Sequence, residues 1–116
     1  MSLPLELHCI VLGDNSSRAF TIEIENDKRL GTLKESIKDK NTPTFDHIPA
    51  HTLEVFKVSF PEDDDLDARL KRFRPEHDPQ NGVYHLSKPM KRLHGVFGDP
   101  TDDHLHVIVV LPLAGE

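Results

Sequence analysis

An α+β fold with a mixed sheet follows from two features of this 116-residue chain. Strand-like apolar runs lie near both ends and once in the middle, and between those runs the spacing switches to the helical i, i+4, i+7 pattern. Two strand-like runs also precede the first helical run. That order departs from the strict strand–helix alternation of a simple parallel sheet and predicts helices gathered on one face of a mixed sheet.

Residues 3–12 place Leu3, Leu5, Leu7, Cys9 and Val11 on one face, and Gly13-Asp14-Asn15-Ser16-Ser17 breaks the pattern, so a strand and a turn are predicted. Residues 18–25 alternate with Phe20, Ile22 and Ile24 on the buried side and Thr21, Glu23 and Glu25 on the wet side. Thr32-Leu33-Lys34-Glu35 has the form of a capping box, in which the Thr hydroxyl accepts a helical N–H and the Glu reaches back to the Thr amide. The main helix is therefore predicted to begin there. Leu30, Leu33 and Ile37 form its apolar stripe, and Asn41-Thr42-Pro43 ends it.

Residues 53–60 are β-branched and aromatic enough for a third strand, which Pro61 stops by removing a backbone donor. Next, Asp63-Asp64-Asp65 precedes Leu66, Leu70 and Phe73 at helical spacing, with Arg69, Lys71 and Arg72 at the far end. Acids at the start and bases at the finish suit a helix dipole. Residues 75–82 read as a surface loop rich in Pro, Asp, Asn and Gly. Met90, Leu93 and Phe97 predict one further short helix beginning near Pro89. Leu105, Val107, Val109 and Leu111 then form one face of the closing strand. The whole chain reads as one domain, residues 1–116, with a helix-bearing insertion at about 62–100.

Composition narrows the function classes. Hydrophobic content of 36% and charged content of 29% fit a single small domain with a thin core and polar loops. At this length about two thirds of the unfolded surface can be buried without a metal or disulfide staple. A net charge of −6, from 20 acids against 14 bases, repels phosphate backbones and anionic membranes at long range. The single Cys9 excludes an intramolecular disulfide and packs as a small hydrophobe among Leu, Ile and Val. No basic residue precedes Arg18, so no secretory signal peptide is visible, and residues 107–111 are far too short for a membrane span.

Element order predicts the ubiquitin-like β-grasp, with the first and last strands as central neighbours. Two segments bracket it. Leu53-Glu54-Val55-Phe56-Lys57-Val58-Ser59-Phe60-Pro61 resembles the Leu-x-Leu-Phe-Leu-Ala-Lys segment in the N-terminal domain of the Crinkler effectors, and His106-Val107-Ile108-Val109-Val110-Leu111-Pro112 resembles the His-Val-Leu-Val-x-x-Pro boundary that closes that domain. Ile108 replaces the Leu of the boundary. Phe56-Lys57-Val58 stands where the oomycete form carries Phe-Leu-Ala-Lys, which places the chain closer to the fungal form. Residues 7–13 are similar to the family's opening strand, residues 32–38 to its helix-opening pattern, and Phe97-Gly98-Asp99-Pro100 to the approach to its closing strand.

The resemblance implies a non-catalytic, ubiquitin-like N-terminal domain. It implies targeting, translocation or protein recognition for an attached C-terminal effector domain, secretion, and delivery to host cytoplasm or nucleus. It also implies a partner motif at Leu53, Val55, Phe56, Lys57, Val58 and Phe60, and a boundary motif at His106, Val107, Ile108, Val109 and Pro112. The partner is expected to be a protein or, for an alternative self-association module, a second copy of the chain, with no direct nucleic-acid contact. A third alternative is a metal-binding protein or enzyme, because Asp102, His104 and His106 place metal-ligating types at close spacing, but a His pair without a third fixed ligand rarely suffices. No cofactor is expected, since neither a phosphate-binding Gly-rich loop nor a Cys-x-x-Cys pair occurs.

Overall fold

The computed structural model describes residues 4–13, 16–41, 48–61, 63–74, 80, 82–86, 88, 90–97 and 104–111. Five strands and two helices occupy them: β1 Pro4–Val11, β2 Phe20–Glu25, α1 Leu30–Lys40, β3 Glu54–Pro61, α2 Leu66–Arg72, β4 Tyr84–Leu86 and β5 His104–Val110. The sheet order is β2-β1-β5-β3-β4. Only β1 and β5 run parallel, with Cys9 opposite Val107 and Val11 opposite Val109, and every other pair is antiparallel. The fold is thus α+β with a mixed sheet, and the chain's first and last strands are neighbours at its centre.

Two cores result, one on each face. Leu5, Leu7, Cys9 and Val11 of β1, Ile22 and Ile24 of β2, Val55, Val107 and Val109 face Leu30, Leu33 and Ile37 of α1. On the other face Ile10, Phe56, Val58 and Ile108 pack with Leu66 and Leu70 of α2. The expectation of helices on one face is corrected by this arrangement. The apolar residues that strands β1, β3 and β5 carry between their main inward positions need a cover, and α2 supplies it.

Three further expectations change for physical reasons. First, α1 starts at Leu30 and not at Thr32, and its cap residue Arg29 makes no side-chain capping bond. The Leu30 amide instead donates to the Lys91 carbonyl at 2.8 Å, and the Leu93 and His94 amides donate to the carbonyls of Lys28 and Asn26, each at 2.8 Å. A remote backbone segment thus satisfies the helix start that a hydroxyl was expected to satisfy. Second, the helix expected near Pro89 is a single 3-10 turn, Leu93–Gly95. Leu93 and Phe97 are buried but Met90 is 74% exposed, so the three do not form one stripe. Third, the β3/β5 register shifts between Lys57 and Phe60. That irregularity breaks the alternation, and Leu105 joins Ile108 in the second core, away from Val107 and Val109.

The short β4 was not expected. It follows Gly82, whose φ of +76° is the left-handed turn conformation that glycine adopts most readily, and it pairs with β3 through Val55–Leu86 and Lys57–Tyr84.

Candidate functional site

The partner motif lies on β3 and its entry, between central β5 and edge strand β4. Leu53, Val55, Phe56 and Val58 are all at most 3% exposed, so four of the five apolar members of the motif are core residues. The Phe56 ring meets Phe73 edge-on at 5.7 Å and stacks on His85 at 4.8 Å. His85 in turn contacts Glu54 through Nε2 and Oε2. Phe60 is half-buried against the second core. Phe56 therefore lies beneath a cover and is not a docking surface.

Lys57 is different. It shares the α1 face with Val55, and its Nζ lies 5.4 Å from the centre of the Tyr84 ring, within cation–π range. Beside it opens a groove of about 400 Å³. Leu30, Leu86 and Val96 give it an apolar floor, and Lys57, Lys88 and Lys91 stand around it. Sequence reasoning missed this feature because the groove is assembled from α1, β3, β4 and the 88–96 segment. Its one local signal was Gly82 followed by the strand-like Val83-Tyr84-His85-Leu86.

The boundary motif is equally structural. His106 is 5% exposed, and Val107, Ile108 and Val109 are wholly buried; Pro112 lies outside the described residues. His106 Nδ1 accepts the His8 amide at 3.0 Å, and the two rings stack at 5.3 Å. His8 Nδ1 lies 3.1 Å from the Thr21 hydroxyl. These contacts tie β5 to β1 and β1 to β2. His106 Nδ1 is thereby committed to a backbone donor. Of the metal candidates, His104 is half-buried at the start of β5, and Asp102 lies outside the described residues. Among the described residues no group of three or more His, Cys, Asp or Glu side chains is placed to hold a metal ion.

Cys9 is fully enclosed, and its thiol lies 3.5 Å from the Leu7 carbonyl, to which it can donate. Burial pushes the thiol's pKa well above its ordinary value, the opposite of what a nucleophile requires. No described helix is long and apolar enough to cross a membrane.

Residues 5–110 match the family model of the Crinkler effector protein N-terminal domain. The chain is also 30% identical over 112 residues to Crinkler effector protein 1 of the fungus Rhizophagus irregularis, an alignment that covers 95% of this chain and 22% of that relative. The chain therefore spans about a fifth of the relative's length. No solved structure matches. With the family model covering nearly every element from β1 to β5, the chain belongs to the family of Crinkler effector N-terminal domains.

Proposed function

We propose that this chain is a ubiquitin-like β-grasp domain that performs protein recognition or targeting for an attached effector domain and carries out no chemistry of its own. The strand order supports the reading, since a β1–β2 hairpin, a helix over one face and a parallel β1–β5 pair at the centre are what a grasp arrangement needs. The recognition role is supported by family membership and by a relative of which the matched stretch is only about a fifth. Such a domain acts by surface, because its reactive-type side chains are built into the sheet: Cys9 is enclosed and His106 holds a backbone amide.

Under this reading the two motifs act indirectly. Buried Leu53, Val55, Phe56 and Val58 fix β3, and β3 presents Lys57; His106 through Val109 close the sheet before the downstream domain begins. Delivery into a host cell belongs to the same proposal. Its test is proximity labelling with a biotin ligase fused to the full-length effector, with and without residues 5–110. A protein set labelled only when residues 5–110 are present supports the proposal, and identical sets would remove it.

A second reading has one observation in its favour. β2 is a six-residue strand at the edge of the sheet, paired only with β1 among the described strands. Edge-to-edge pairing with a second copy gives a symmetric dimer. Sedimentation velocity across a concentration series separates the two, since a recognition domain alone needs no concentration-dependent species.

A further inference from the structure

The groove beside Lys57 differs from the rest of the molecule in charge. Acids outnumber bases 20 to 14 in the chain, yet among the described residues lining the groove there is no Asp or Glu and there are three lysines. None of these three forms an ion pair with a described residue. Cations gathered on an otherwise acidic molecule create a local field that its long-range charge does not predict.

The groove is also held in shape. Lys91 donates its amide to the Lys88 carbonyl at 3.1 Å, and this turn sets both lysines on one rim. The same rim is tied to the start of α1 by the Leu30–Lys91 backbone bond at 2.8 Å and by Arg29 Nη1 donating to the Met90 carbonyl at 3.1 Å. The Lys57 ammonium, also at the groove, rests over the Tyr84 ring. Leu30, Leu86 and Val96 leave room for apolar side chains, the lysines are the charged lining residues, and Tyr84 and His85, the latter in contact with Glu54, line the groove as well. A ligand that enters a preformed site loses less free energy to ordering the protein.

Resting on the recognition role proposed above, we infer that this groove docks an acidic segment of a partner protein, with apolar side chains on the floor and carboxylates at Lys57, Lys88 and Lys91. A nucleic acid is the poorer fit. Its long polyanionic backbone meets the repulsion of a chain of net charge −6, whereas a short acidic peptide engages the local cations alone.

The test is a fluorescence anisotropy titration with a short labelled peptide of Glu, Asp, Leu and Val, beside a counterpart with Lys at each acidic position and a single-stranded oligonucleotide. The acidic peptide should bind saturably and more weakly as salt is added, and the basic peptide should not bind. Joint substitution of Lys57→Glu, Lys88→Glu and Lys91→Glu should weaken binding at least about tenfold. In the unsubstituted chain the methyl resonances of Leu30, Leu86 and Val96 should shift on titration, a readout that does not depend on the variant folding. The inference fails if the acidic peptide does not saturate, if those methyl groups stay unmoved, if the folded triple variant binds as before, or if the oligonucleotide alone binds. Proximity labelling that depends on residues 5–110 but survives the triple substitution would discard the groove and leave the recognition role standing.

Discussion

Cys9 shows how one position sets a measurable property. Its thiol has an ordinary pKa of 9.0, and desolvation in the core raises it. In the unfolded chain the proton leaves above that value, whereas the folded chain keeps it, so the folded state binds more protons and loses stability as pH rises. The contribution is fully present below about pH 9 and falls by ~1.4 kcal/mol per pH unit above it. Urea unfolding of the chain and of Cys9→Ala should therefore converge between neutral and alkaline pH, and parallel curves would show that the thiol is not enclosed. Phe56 and Lys57, adjacent in the motif, separate in the same way. Phe56→Ser removes a ring packed between Phe73 and His85 and should cost about 3 to 5 kcal/mol in a thermal or urea melt. Lys57→Ser should change stability by less than about 1 kcal/mol, because the ammonium stays at the surface and only its stem packs. Equal losses from the two would place Lys57 in the core as well.

At the level of elements, what could be read from sequence depended on how local the signal was. The patterns of Leu5, Leu7, Cys9 and Val11, and of Ile22 and Ile24, announced β1 and β2 because a half-buried strand must alternate. Leu33, Ile37, Val55, Val107 and Val109 share one core, as the inward members of their own patterns should. The start of α1 was not legible, since its first amide is satisfied by Lys91, far along the chain. The groove escaped for the same reason: its floor and rim come from segments that no local pattern relates. The second face was legible in part, through Phe56 and Val58 on β3. On chain entropy alone their cover, α2, would be dispensable, since a shortened loop changes closure entropy only slightly. Packing decides otherwise. Leu66 and Leu70 are 4% and 7% exposed against Phe56 and Ile108, so removing residues 62–81 with a short Gly/Ser bridge bares a sheet face. The shortened chain should bind an apolar dye and lose its cooperative melt, and Leu70→Ala alone should cost about 2 to 3 kcal/mol. A sharp melt without dye binding would return α2 to the status of an ornament.

For the molecule as a whole, the closing strand is the member on which both cores depend. β5 lies between β1 and β3, parallel to one and antiparallel to the other, so it joins the β1–β2 hairpin to the β3–β4 pair. It is also buried from both sides. Val107 and Val109 face α1, Ile108 faces α2, and none of the three is measurably exposed. A strand covered on both faces reads as a continuous apolar run, which is why its sequence shows Val107-Ile108-Val109-Val110 without alternation. Neighbouring positions of opposite facing therefore have the same importance here, unlike on β2, where Ile24 is buried and Glu23 is exposed. Val109→Asp and Ile108→Asp should each abolish cooperative unfolding, because an unpaired buried carboxylate costs several kcal/mol against a total stability of about 5 to 15 kcal/mol. Glu23→Lys on β2 should leave the transition within about 0.5 kcal/mol of its starting value. Circular dichroism melts of the three variants decide the matter. If Val109→Asp unfolds the chain while Ile108→Asp melts normally, the α2 layer is not a core and the sheet is packed on one side only.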